Sequence, residues 1–369
     1  MRLQNVDKNF IVNEDIDSKG INYYKIPNDN FDLYGVFYDY KNGRFTRMDQ
    51  DIADQVNDGV KILASNTSGG RLRFSTDSDV FSITVKYEEL CKMEHMALEG
   101  SSGFMLVEEN DDGSTGFYKM LPPTWDQVNG YTVSVNLPKG KMRKYILWFP
   151  LYNGVSELTI GLDSNAKVTH GRKYRDIKPV LYYGSSITQG GCASRPDNDY
   201  MSLISKWSNI DFINLGFSGS GKAEDIMVDY LTKFDCSLFV CDYDHNAPDA
   251  EYLEKTHFRL YERYRKIRKD TPILFLTSPN DAFEIEERNA RYKIIRTTFE
   301  KAKRAGDKNV YFMDGRKFFN NEDRMNFTVD GAHPTDLGFY VMAKKMYRKF
   351  VISINRKFKL WNKSKEIEK

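Results

Sequence analysis

Four short segments in the second half of the chain carry side chains that can do chemistry together. Gly184-Ser185-Ser186-Ile187-Thr188-Gln189-Gly190 holds a serine in a glycine-bounded turn, and Gly216-Phe217-Ser218-Gly219-Ser220-Gly221 offers backbone N–H groups beside glycine. Asp244-His245-Asn246 brings an amide, and Asp330-Gly331-Ala332-His333 an Asp/His pair. A serine hydroxyl is a poor nucleophile until an imidazole takes its proton, and the imidazole needs a carboxylate to hold its tautomer. Negative charge developing on a carbonyl oxygen needs donors aimed in advance, for which backbone N–H groups and an asparagine amide are suited. The inventory is that of acyl transfer.

Taken singly, none of these segments is specific. A serine in a glycine-containing turn is usually only a turn residue, and with five histidines in the chain an Asp three positions before one of them arises readily by chance. Rival chemistries fail at particular residues. The run from Gly216 to Ala223 nearly spells a phosphate-binding loop, but Ala223 stands where such a loop needs a hydroxyl for Mg²⁺. The nucleophile elbow of α/β-hydrolases needs glycine two residues after the serine, where Thr188 stands. Cys236, Cys241, His245 and His257 suggest a metal set, yet an odd separation along one strand points the two thiols to opposite faces. No metal site is expected, and His95, His170 and His257 read as surface or packing residues.

The elements that must position these segments are legible in the apolar pattern. From about residue 20 to 162 the runs are short and two-periodic, as in RLRFSTDS (71–78), VFSITVKY (80–87), YTVSVNLP (131–138) and SELTIGLD (156–163). Turn signals at Lys41-Asn42-Gly43, Asp111-Asp112-Gly113 and Pro138-Lys139-Gly140 separate them, as expected of an antiparallel sandwich. After the polar stretch HGRKYRDIK (170–178), continuous apolar runs alternate with amphipathic segments. PVLYYGS (179–185), DFINLGF (211–217), SLFVCDY (237–243), PILFLTS (272–278) and NVYFMDG (309–315) read as buried strands. The clearest helices between them are 251–269 and 285–305, and a last one spans about 337–356. Such alternation implies a parallel sheet covered on both faces, because parallel neighbours need long crossovers. The expected domains are a β-sandwich over 1–170, an open α/β sandwich over 171–356 and a charged tail over 357–369. In open sheets of this kind ligands bind outside the carboxyl ends of the strands, and each of the first three segments directly follows an apolar run.

Composition narrows the function classes. Lys and Arg total 54 and Asp and Glu 52, interspersed, for a net charge of +2, which argues against a dedicated nucleic-acid binder. The hydrophobic set is 40% of 369 residues, enough to fill two cores. Four cysteines, with Cys91 far from the other three, do not make a disulfide framework. No stretch approaches a membrane span and the first residues do not resemble a signal peptide, so the expected setting is cytoplasmic, without membrane or nucleic-acid partners.

GSSITQG after the first strand, NLGFSGSG after the second, an asparagine after the third and DGAHP near the end together resemble the four blocks of the SGNH (GDSL-type) hydrolase superfamily. The resemblance covers roughly residues 179–350. It implies a three-layer, flavodoxin-like α/β domain, with Ser186 as nucleophile and Asp330 and His333 completing a triad. It also implies an oxyanion hole built from the N–H groups of Ser186 and Gly219 and the side chain of Asn246, with no cofactor. Ser185 replaces the family's usual aspartate before the nucleophile, and Asp244-His245-Asn246 replaces the familiar Gly-x-Asn-Asp. The preceding sandwich, jelly-roll-like and containing LYGVFYDYKNGRFTRM (33–48), resembles a two-domain subgroup rich in carbohydrate esterases. That implies removal of a short acyl group, acetyl above all, from a small-molecule or oligosaccharide ester.

His245, beside Asn246, and Arg195, in a polar loop after the first block, are candidates for substrate contact, although a structural histidine and a plain solvated loop are the alternatives. Two other functions fit the same residues. One is a lipid esterase or thioesterase of the same fold; the other is a carbohydrate-binding protein whose hydrolase domain is inactive.

Overall fold

The computed structural model describes residues 6–7, 13–14, 20–279, 284–319 and 324–358, so most of the 357–369 tail lies outside the described residues. Contacts divide the chain into two units. The first comprises residues 1–47, 65–173 and 194–197, and the second residues 48–64, 174–193 and 198–369. Among the described residues no helix is long and apolar enough to cross a membrane.

The first unit is built from β1 (Ile21–Ile26), β2 (Asp32–Tyr34), β3 (Phe37–Asp39), β4 (Arg44–Thr46), β5 (Arg71–Thr76), β6 (Val80–Lys86), β7 (Phe104–Glu109), β8 (Thr115–Leu121), β9 (Gly130–Asn136), β10 (Arg143–Trp148), β11 (Glu157–Asp163) and β12 (Val168–His170). One antiparallel sheet has the order β1-β11-β6-β9, and another β12-β5-β10-β7-β8, with β2 on β5. Alternation is visible in β6 and β9, where Phe81, Ile83, Val85, Tyr131, Val133 and Val135 face a core shared with Leu72, Phe74, Leu106 and Leu147 of the other sheet. A strand that buries every second side chain needs a second sheet to cover that face, and these two supply it to each other.

The second unit contains α1 (Gln50–Val56) and α2 (Asp58–Leu63), contributed by a stretch that interrupts the strands of the first unit. The next helix in sequence, α3 (Leu98–Ser102), is a one-turn helix of the first unit. There follow β13 (Val180–Gly184), α4 (Ser186–Gln189), α5 (Tyr200–Ser208), β14 (Phe212–Gly216), α6 (Asp225–Leu231), β15 (Leu238–Asp242), α7 (Ala250–Ile267), β16 (Ile273–Leu276), α8 (Ile285–Arg304), β17 (Val310–Met313) and α9 (Asp336–Phe358). All five strands pair in parallel in the order β14-β13-β15-β16-β17. Both faces are buried, which is why the strands read as unbroken apolar runs. Leu181, Tyr183, Leu215, Phe239 and Phe275 pack with α1, α2, α6, α7 and α8. On the opposite face Tyr182 meets Tyr200 of α5 edge-on, and Tyr200 stacks on Phe339 of α9. The second unit is thus a three-layer α/β/α sandwich, and the first an antiparallel β domain.

The strand order reverses at β13, whose neighbours are β14 and β15. A crevice opens at such a switch point, outside the carboxyl ends of the strands. The segment after β13 begins there.

Candidate active site

Strand β13 ends at Gly184, in register with Gly216 of β14 and Asp242 of β15. A Cβ on Gly184 would collide with Thr188 Oγ1 and the Asp242 carbonyl, and one on Gly216 with the Thr188–Gln189 backbone. Glycine at both strand ends therefore lets the short helix α4 sit directly on the sheet edge. Ser185 caps it, its Oγ accepting the Ile187 N–H at 3.2 Å, and Gly190 ends it in the left-handed region at φ 98°. Ser186 is its first residue and is 4% exposed.

His333 meets Ser186 across 147 positions of sequence: its Nε2 lies 2.9 Å from Ser186 Oγ. The other ring nitrogen, Nδ1, lies 2.7 Å from Asp330 Oδ2. Asp330 Oδ1 accepts the backbone N–H groups of Ala332 at 3.0 Å and His333 at 2.8 Å, so one carboxylate folds the turn and orients the imidazole. Burial pulls the Asp330 carboxyl upward, but the hydrogen bonds from the His333 backbone and ring and from the Ala332 backbone outweigh it and hold it at about 2. It is therefore an anion at neutral pH, fit to keep a proton on Nδ1 and leave Nε2 as the base facing Ser186. Cys192, just beyond α4, stays a thiol, because burial and the nearby Asp330 push it up to about 12.

Gly219 occupies a turn at φ +65°, exposed, and among the described residues its N–H donates to no partner. Asn246 is 8% exposed, and its Nδ2 donates to the Phe217 carbonyl at 2.7 Å, which leaves the second amide hydrogen uncommitted. The same bond ties the turn after β15 to the turn after β14. Gln189 makes the matching link from α4, its Oε1 accepting the Ser218 N–H at 3.0 Å. Three separate strand ends are thus hydrogen-bonded into one cradle.

His245 is partly exposed and is pushed down to about 4 by burial and by the charges of His333 and Arg291, so it is neutral at neutral pH. Arg195 belongs to the first unit, where it pairs with Asp197 at 2.9 Å and lies over the Tyr118 ring. Cys236 and Cys241 are buried, and burial raises both thiols. His257 is buried against Thr298 Oγ1 at 2.9 Å, a packing residue. The near phosphate-loop run takes no such form: Ala223 has a positive φ and the helix after it starts only at Asp225.

Sequence reasoning passed over several groups that shape this rim. Asp242 is buried below α4 and held by Thr188 Oγ1 at 3.1 Å and Tyr200 OH at 3.4 Å, and burial, with Asp244 beside it, raises its carboxyl far above the usual range. Gln189 and Arg291 are likewise buried polar groups whose spacing in the chain carries no motif. Asp242 alone carries a sequence signal, a carboxyl at the end of the apolar run Leu238-Phe239-Val240-Cys241, whereas Gln189 and Arg291 stand among polar neighbours.

Residues 177–351 match the family model described as the GDSL-like lipase/acylhydrolase family, and residues 21–168 match that of the N-terminus of SGNH-hydrolase-type esterases. Among solved structures, one from Bacteroides ovatus described as a GDSL-like lipase is 26% identical, with a TM-score of 0.80, covering 91% of this chain and 98% of its own. A salicylyl-acyltransferase from a tetracycline biosynthetic pathway is 18% identical with a TM-score of 0.73, over 91% of this chain and 98% of its own. A family two carbohydrate esterase from Clostridium thermocellum, in complex with cellohexaose, is 15% identical with a TM-score of 0.57, over 78% and 93%. No curated protein matches the chain.

Proposed function

The chain belongs to the SGNH (GDSL-type) hydrolase superfamily, and on that premise we propose that it is a serine esterase that removes short acyl groups, acetyl first among them, from carbohydrate hydroxyls. The observation that carries the reading is the continuous chain from Asp330 through His333 to Ser186, with links of 2.7 Å and 2.9 Å.

In this reading Ser186 Oγ attacks the ester carbonyl while His333 Nε2 takes its proton. Asp330 stabilises the imidazolium without itself becoming protonated. The oxyanion forms where the N–H groups of Ser186 and Gly219 and the free amide hydrogen of Asn246 converge, and each such donor is worth about 10²- to 10³-fold in rate. His333 then returns the proton to the leaving alcohol. Water then attacks the acyl carbonyl and gives its proton to the same nitrogen, which passes it to Ser186 Oγ as the acyl–oxygen bond breaks and the acid leaves. The steps balance with ester and water alone.

The carbohydrate part of the proposal rests on the two-domain organisation and on a fold shared with an esterase that was solved holding cellohexaose. His245, neutral beside the imidazole, is the residue of the second unit we assign to substrate contact. Acetate release from a panel of acetylated oligosaccharides, measured against an aryl acetate, tests the substrate class. Faster turnover of an acetylated sugar supports it; a preference for long acyl chains or thioesters selects a lipid esterase or thioesterase instead. Glycan binding by a chain without any esterase activity would leave only a binding function.

A further inference from the structure

The amide assigned to the oxyanion hole sits on a very short element. Asp244–Asn246 is a single turn of 3-10 helix, closed by the Asn246 N–H on the Tyr243 carbonyl at 3.0 Å. A donor placed in advance must be held to within a few tenths of an ångström, and loops hold side chains less well than helices or strands do. Something outside the turn has to fix it.

Arg291 is placed to do so. It lies on α8, one and a half turns from the helix start, and is 2% exposed. Its Nη1 donates to the Asp244 carbonyl and, at 2.9 Å, to the Ala247 carbonyl. Those two carbonyls bracket His245 and Asn246. One turn earlier on α8, Glu287 Oε1 accepts from Arg291 Nε at 2.7 Å and sets the plane of the guanidinium. On the other side the Asp244 carboxylate accepts the Ser278 N–H at 3.0 Å, tying the same turn to the end of β16. Burying a full positive charge is a costly way to fill space, since an apolar side chain of similar volume usually does so at least as well. A guanidinium whose plane is fixed through Nε, however, aims the two hydrogens of one nitrogen in set directions, which suits Nη1 to holding two carbonyls at a fixed spacing.

We infer that Arg291 is a positioning residue for catalysis: it clamps the carbonyls of Asp244 and Ala247 and thereby aims the Asn246 amide at the oxyanion. The inference rests on the proposed role of Asn246 in the hole. It assigns no contact between Arg291 and substrate.

A double-mutant cycle separates the two claims. Steady-state kinetics on an aryl acetate are measured for the wild type, Asn246→Ala, Arg291→Gln, Arg291→Lys and the two double variants, with thermal melting recorded for each. Arg291→Gln is expected to lower kcat at least tenfold, with KM changed less than threefold, and to change kcat less than twofold in the Asn246→Ala background. Arg291→Lys, which keeps the charge beside Glu287 but not the guanidinium plane that aims Nη1, is expected to fold like the wild type and to show the same pattern at smaller amplitude. It decides the matter if the glutamine variant does not fold. Equal losses in both backgrounds, or no loss in either, overturn the positioning role while leaving Asn246 in the hole. A near-wild-type rate for Asn246→Ala removes Asn246 from the hole and the inference with it.

Discussion

Ser186 is buried to 4% exposure, yet its oxygen faces a ring nitrogen at 2.9 Å, so removing that oxygen should stop chemistry without disturbing packing. Ser186→Ala is expected to abolish aryl acetate turnover, with a melting temperature within about 3 °C of wild type, since one hydrogen bond is worth about 1 kcal/mol. Retained turnover would remove Ser186 as nucleophile. Asp330→Asn keeps the shape of the turn but supplies no anion to hold the imidazole tautomer, and a loss of about 10³- to 10⁴-fold in kcat is expected. A loss below tenfold would mean that the 2.7 Å contact with Nδ1 has no catalytic consequence. Asn246→Ala should retain about 1% of the rate or less, the cost of one oxyanion donor, read from kcat rather than KM.

The element that matters most is the short helix α4, which rests on two glycines. Gly216→Ala would drive a methyl into the Thr188–Gln189 backbone, and overpacking of this kind costs about 1–3 kcal/mol or more. Its melting temperature should fall by several degrees, with kcat falling as Ser186 shifts; an unchanged melting temperature would show that α4 moves freely off the sheet. Elements of this unit were legible because burial on both faces leaves unbroken apolar runs. Strands expected at 179–185, 211–217, 237–243, 272–278 and 309–315 occur at 180–184, 212–216, 238–242, 273–276 and 310–313. The long amphipathic helices were legible because only one face is buried, which leaves a 3.6-residue apolar period. Helices α1 and α2 were not. They are six or seven residues each, too short to show a helical period, and they lie among two-periodic strands of another unit. What gives them away in the structure is capping by Asp49 and Asn57, whose side chains accept the Asp51 and Val60 N–H groups. At the site, the serine, the Asp/His pair and the glycine turn were legible from order and spacing. The Gln189 and Arg291 bonds were not, because a polar side chain that serves a backbone carbonyl or N–H elsewhere in the chain leaves no local pattern.

Across the whole molecule, buried ionisable groups set how stability follows pH. Asp199 caps α5, and burial pushes its carboxyl up to about 6 despite bonds from Ser202 and Met201; Asp244 is likewise raised to about 6 by burial. Between pH 4 and 6 the folded chain keeps protons that the unfolded chain would lose, so these groups lower stability as pH rises through that window. His257, held down to about 3 by burial, acts in the other sense and lowers stability as pH falls below about 6.5. One substitution isolates one group. Asp199→Asn preserves a cap oxygen for the Met201 and Ser202 N–H groups but cannot ionise. Relative to wild type it should gain stability as pH goes from 4 to 7, by up to about 3 kcal/mol. A pH-independent offset in thermal melts would contradict this.

The central claim is that one hydroxyl, made nucleophilic by His333, takes up the acyl group. The most direct measurement is intact and peptide mass spectrometry of the full chain after reaction with an organofluorophosphonate, which phosphonylates activated serines. A single adduct on Ser186, formed in step with loss of esterase activity and abolished by His333→Ala, is the predicted result. No adduct, or one on a different residue while activity is lost, would contradict it.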